Sequence, residues 1–217
     1  SEYTWTVKAS ATLAGPGPNY FSDRAEDVWV DEEGWLHLRV VHRDGRWYCT
    51  EVFTQQSLGY GKYIFRLSGP VDQLDRNIVL GLFTWDGDAP EHNYREIDIE
   101  ISRWGQPEND AAQYVVQPWQ HTGNIYRFPL DLDGQDSTYA FDWRADRIFF
   151  QSLRGQQPFL GPVEQEMASW TYTGNDVPPA GQANARINLW LLDGAAPADG
   201  QEAEVVVTSF EFVPHAE

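Results

Sequence analysis

The sequence predicts an all-β fold, a sandwich of two curved antiparallel sheets. Three observations carry this expectation. β-branched and aromatic residues cluster in short runs, no stretch keeps a helical period, and Gly, Pro and Asp-Gly punctuate the runs. A chain of strands without helices must bury its apolar faces sheet against sheet. The 217 residues suffice for one domain with its own core, so a single domain over 1–217 is expected.

Taken in order, residues 3–8, 27–30 and 35–42 are rich in β-formers. Asp44-Gly45 then separates 35–42 from 47–54 as a tight hairpin, since both positions of such a turn need left-handed backbone. Residues 61–68 follow Gly59 and end at Gly69-Pro70, and the nearly continuous apolar run 77–85 reads as a strand buried on both sides. Runs at 95–103, 111–118, 138–143 and 146–153 come next, with reversals at Asp133-Gly134 and Gly155. Residues 156–182, rich in Gln, Pro and Gly, read as one long connection. Runs at 185–192 and 203–213, separated by Asp193-Gly194, complete the set.

Composition narrows the function. Ten Trp, ten Tyr and eleven Phe coexist with a mean hydropathy of −0.52, which implies that many rings are partly exposed and suits a binding cleft better than a large core. A formal charge of −18 repels a nucleic-acid backbone and an anionic membrane alike, and favours a monomer that binds a neutral ligand. Cys49 is the only cysteine, which excludes an intramolecular disulfide and a cysteine-based metal site. The five histidines lack ligand spacing, so no metal and no cofactor are expected. No apolar run approaches the roughly 20 residues that span a bilayer, and no signal peptide is visible at Ser1.

Residues 95–101 carry the chemistry: Arg95-Glu96-Ile97-Asp98-Ile99-Glu100-Ile101. In a strand the isoleucines share one face, and Glu96, Asp98 and Glu100 line the other. A row of three like charges repels itself, and Asp and Glu are poor strand formers, so a strand that keeps all three uses them. A pair of carboxyl groups is what glycoside hydrolysis needs, one to attack carbon and one to protonate the leaving oxygen. The competing reading is a solvated strand face that keeps a sheet edge soluble. The mid-chain position among strong strands, flanked by Tyr94 and Trp104 as sugar platforms, favours catalysis. Trp119 lies where a strand runs into a polar loop and reads as a cleft wall, while Gln113 and Gln117 suit a sugar-facing strand face.

These residues resemble glycoside hydrolase family 16, in particular the bacterial lichenases. The likeness rests on Ile78-Val79-Leu80-Gly81-Leu82-Phe83-Thr84-Trp85 leading into Glu96-Ile97-Asp98-Ile99-Glu100, on Gly59-Tyr60-Gly61-Lys62-Tyr63, on Thr138-Tyr139-Ala140-Phe141-Asp142-Trp143 and on Asn188-Leu189-Trp190. It spans roughly residues 27–213. The resemblance implies a β-jelly-roll of the concanavalin A-like lectin and glucanase type, and retaining, endo-acting hydrolysis of a β-1,3- or β-1,3-1,4-glucan. Glu96 would be the nucleophile, Glu100 the general acid and base, and Asp98 the assisting carboxylate. Tyr94, Trp190 and Glu51 would contact sugar. A neutral β-linked polysaccharide as substrate in turn implies an extracellular protein.

Several positions depart from the family pattern. Val115 and Gln117 stand where an asparagine and a tyrosine would contact substrate, and Phe53 stands where an arginine is expected. Thr208 lies near an expected calcium-ligating aspartate, so calcium is not expected there. A lectin-like sandwich without catalysis and a transglycosylase are the alternative functions.

Overall fold

The computed structural model describes residues 3–215. In chain order its strands are β1 (Trp5–Val7), β2 (Ser10–Ala14), β3 (Asn19–Phe21), β4 (Val28–Val30), β5 (Leu36–Arg43), β6 (Arg46–Thr54), β7 (Gly61–Ser68), β8 (Ile78–Trp85), β9 (Ile97–Ile101), β10 (Ala112–Val116), β11 (Ile125–Phe128), β12 (Ser137–Trp143), β13 (Ile148–Arg154), β14 (Glu166–Tyr172), β15 (Asn184–Leu191) and β16 (Ala203–Pro214). Only short 3-10 turns interrupt them.

The strands form two curved layers, as a jelly-roll sandwich requires. One layer runs β11-β10-β9-β8-β15-β6-β1, and the other β4-β5-β16-β7-β12-β13-β14. Pairing is antiparallel except where β3 joins β6. The β5–β6 hairpin links the layers through Asp44 (φ 52°) and Gly45 (φ 76°), the left-handed pair that Asp-Gly supplies at little cost.

Four strands escaped the sequence reading. β14 lies inside 156–182, which is therefore not one structureless connection; β2, β3 and β11 were also unmarked. β2 and β11 are short and largely exposed, without the apolar alternation that betrays a half-buried strand. β14 is flanked by Gln, Pro and Gly, and forms by pairing with β13 around a register shift at Ser152/Leu153.

The aromatic residues also correct an expectation. Many of them build the core between the layers rather than a cleft: Trp143, Tyr63, Tyr114, Tyr139, Phe65 and Phe141 are fully buried. Tyr114 of the first layer stacks on Phe150 of the second at 4.8 Å, and its hydroxyl reaches Ser152 Oγ at 2.6 Å. Cys49 is a buried free thiol, its pKa pushed up to about 12 by burial. Among the described residues no helix is long and apolar enough to cross a membrane.

Candidate active site

β9 lies inside the first layer between β8 and β10, so its outward face is not a solvated edge. Ile97, Ile99 and Ile101 are at most 1% exposed and pack into the core. Alternation then drives Glu96, Asp98 and Glu100 to the opposite face, where all three line a cleft of about 630 Å³.

Strand register arranges the cleft floor in transverse rows. The first row is Arg127, Gln113, Glu100, Gly81, Asn188 and Glu51, each paired with the next across β11, β10, β9, β8, β15 and β6. Lys8 extends it, its backbone N–H donating to the Glu51 carbonyl at 2.9 Å. The second row is Ile125, Val115, Asp98, Phe83, Arg186 and Phe53. Glu96 begins the third, with its carbonyl accepting from the Gln117 N–H at 3.2 Å. The first row is polar throughout apart from Gly81, and the second sets Asp98 and Arg186 among apolar side chains, which offers sugars both polar partners and flat contact surface.

Two of the three carboxylates are held by a side chain from β10 or the residue just beyond it. Gln113 Nε2 donates to Glu100 Oε2 at 2.8 Å, and Gln117 Nε2 donates to Asp98 Oδ2 at 3.0 Å. Arg127 Nε in turn donates to Gln113 Oε1 at 2.8 Å, which fixes the amide with its N–H toward Glu100. Burial raises all three acids. Glu100 is pushed up to about 7, opposed by Gln113 and Arg127. Glu96 rises to about 8 through burial and the charge of Glu100, offset by a hydrogen bond from Asp98 and by the charge of Arg186. Asp98 is raised well above the carboxylate range by burial and by the charges of both glutamates, opposed by the hydrogen bond from Gln117. The trio titrates as one unit and retains protons near neutral pH.

A strained turn delivers Glu96. Asn93, Tyr94 and Arg95 are all left-handed, at φ 49°, 57° and 52°, a run that non-glycine residues adopt only when the surroundings impose it. Thr84 on β8 brackets the turn: its hydroxyl donates to the Arg95 carbonyl at 2.8 Å and accepts from the Ile97 N–H at 3.1 Å. The turn also breaks the strand alternation. Tyr94 consequently does not line the cleft as expected; it stacks on Trp85 at 4.3 Å, and Trp85 is the ring that does.

The other expected contact residues, Glu51, Trp104, Gln113, Gln117, Trp119 and Trp190, are brought together around the cleft. Trp104 meets Trp190 edge to face at 6.3 Å, and Trp119 stands 56% exposed at the rim. Asn188 Oδ1 and Trp104 Nε1 are buried without a hydrogen-bond partner among the described residues. Gly81 makes room for Asn188, because a Cβ at this glycine would collide with Asn188 Oδ1.

Sequence reasoning missed Lys8, Trp85, Arg127 and Arg186, which also line the cleft. Glu51, 1% exposed, accepts Lys8 Nζ at 2.9 Å and Arg186 Nη1 at 3.0 Å. A buried glutamate calls for such cations, but the partners come from strands far apart in the chain. Among the described residues, no cluster of three His, Cys, Asp or Glu side chains is placed to hold a metal ion.

No protein-family model and no curated protein sequence matches the chain. Solved structures do. A β-glucanase of Bacillus licheniformis is similar with a TM-score of 0.68 at 19% identity, covering 99% of this chain and 94% of that one. A pseudo β-1,3-glucanase of Mycobacterium tuberculosis, described as an immunostimulatory antigen, gives 0.71 at 18%, covering 98% and 91%. A mixed-linkage-glucan family 16 protein of Bacteroides ovatus, solved with an oligosaccharide product, gives 0.68 at 15%, covering 98% and 96%. Over nearly its whole length, the chain has the fold of the β-glucanases.

Proposed function

We propose that this protein is an endo-acting retaining β-glycanase of the family 16 type. Its substrate is a neutral β-1,3- or β-1,3-1,4-glucan, and it works outside the cell as a monomer. The observation that carries the reading is the trio: three carboxyl groups in one column on a cleft floor, with burial raising the pKa of each.

Glu96 attacks the anomeric carbon while the glycosidic C–O bond breaks and Glu100 transfers its proton to the departing oxygen. The product is a glycosyl ester on Glu96. Forming it consumes the negative charge of Glu96, so Glu100 ionises more readily and becomes the base. Glu100 then removes a proton from water, the water oxygen bonds to the anomeric carbon, and Glu96 leaves as a carboxylate. Two inversions give net retention. Asp98 keeps its proton and donates it to Glu96, which orients the nucleophile and favours its ionised form.

The walls fit a sugar chain. Trp85, Trp104, Trp119 and Trp190 offer ring faces to C–H surfaces. Asn188 Oδ1 and Trp104 Nε1, on two residues that line the cleft, are an unmatched acceptor and an unmatched donor.

The test is cleavage of lichenan, laminarin, agarose and xyloglucan by the wild type, Glu96→Gln and Glu100→Gln. The expected result is a rapid fall in viscosity on a β-glucan with first products of retained β configuration, and loss of activity in both variants. Products of inverted configuration would overturn the two-step mechanism. Redistribution of chain lengths without new reducing ends would move the reading to a transglycosylase. Equal binding by all three proteins with no cleavage would make the protein a lectin.

A further inference from the structure

A cation stands on the strand facing Phe53, close to the carboxylates of the cleft. Phe53 on β6 is paired with Arg186 on β15, and the Arg186 guanidinium lies over the Phe53 ring at 4.9 Å. Trp85 is also close, at 5.8 Å, so two aromatic rings confine the guanidinium plane. Two hydrogen bonds fix its rotation: Nε donates to Asn184 Oδ1 at 2.9 Å, and Nη1 donates to Glu51 Oε1 at 3.0 Å. Nη2 makes no hydrogen bond among the described residues, and the residue lines the cleft. In the second transverse row only Phe83 separates Arg186 from Asp98.

Resting on the glycanase reading above, we propose that Arg186 is a positioning residue of this site: anchored by Glu51, Asn184, Phe53 and Trp85, it directs its free Nη2 to a hydroxyl of the bound sugar and its charge to Glu96. The direction of its influence agrees, since Arg186 favours the ionised form of Glu96. The groups that act on Glu96 are Asp98 and Glu100 on β9, Glu51 on β6 and Arg186 on β15. Among these Arg186 is the sole cation. Lys8 lies on the far side of Glu51 and Arg127 acts on Glu100, so neither replaces it.

The experiment separates this proposal from the reading beneath it. NMR titration of protein carrying 13C-labelled glutamate carboxyls reports the ionisation of Glu96 without any substrate, the resonance being assigned with Glu96→Gln. In Arg186→Met the Glu96 midpoint moves up by about one pH unit, whereas in Lys8→Met it moves by less than about a third of that. Arg186→Lys returns the midpoint toward the wild-type value. The exchange variant Arg186→Phe with Phe53→Arg restores it from the opposite strand. On whichever β-glucan the wild type cleaves, the acid limb of kcat/KM follows the same order, and KM rises about tenfold in Arg186→Met through the lost Nη2 contact. An unmoved Glu96 midpoint in folded Arg186→Met, or an equal movement in Lys8→Met, overturns the proposal whether or not the wild type is active. A wild type without activity, with the midpoint moving as stated, overturns only the glycanase reading.

Discussion

The two arms of the cleft, on either side of β9, are built in opposite ways. Toward β6 the floor is locked: Glu51 is 1% exposed and ties together Arg186 on β15 and Lys8, just past β1. Toward β11 it is open. There Arg127 sits on a short, largely exposed edge strand, held to the sheet through one bond to Gln113, and Trp119 projects from the rim. Buried charges are costly unless every partner is in place, so the locked arm is rigid and intolerant of change. The open arm depends on few contacts and yields to local motion.

The strongest way to break this contrast is to remove one anchor from each arm. Glu51→Ala strands two cations in a buried site, with an expected loss of about 3–5 kcal/mol in stability and of most activity. Arg127→Ala removes an exposed side chain, for an expected change within about 1 kcal/mol and a modest rise in KM. Urea unfolding with initial rates measures both; equal effects would erase the distinction between the arms. Next in size is Thr84→Val, which keeps the shape and deletes both bonds that bracket the strained turn. A drop in kcat of about tenfold is expected with little change in KM, since the nucleophile and not the binding surface is displaced. An unchanged kcat would mean that the turn holds Glu96 without Thr84.

The smallest effect sharpens the comparison through pH. Glu96 and Glu100 have folded pKa values raised to about 8 and about 7 from 4.5, so the native state binds more protons than the unfolded chain between those limits. Stability contributed by the trio is therefore full below about pH 4.5 and falls as pH rises toward 8. Glu100→Gln removes part of that cost. At pH 8 its melting temperature is expected to exceed the wild type's by about 3 °C, with a smaller gain at pH 5, while activity is lost. Calorimetry at both pH values checks the sign, and a larger gain at pH 5 would refute it.

Much of the site was legible before folding. Strict alternation at 96–101 separates the isoleucines from the carboxylates by geometry alone, and the apolar run 77–85 announces the strand that packs beside it. Tyr94, expected beside the sugar from its flanking position and from the family resemblance, lies in a turn where three consecutive left-handed residues rotate the chain and stack its ring on Trp85. β14 and β11 were missed because edge strands need no apolar alternation; they exist through pairing with β13 and β10. Arg186 carried no signal of its own, since nothing in a linear sequence reports that it lies opposite Phe53.

By itself, then, the sequence determined the layered β architecture, the face on which Glu96, Asp98 and Glu100 project, and the residue types available for glycoside chemistry. These follow from periodicity and composition, which are local properties. Only the tertiary structure decided how other residues meet the trio: that Gln113 and Gln117 donate to Glu100 and Asp98, and that Arg127 at one arm and Lys8 and Arg186, tied to Glu51, at the other line the same cleft. The reason is register. Strands that are distant in sequence become neighbours at fixed pairings, and those pairings set the distances on which burial, charge and hydrogen bonding depend.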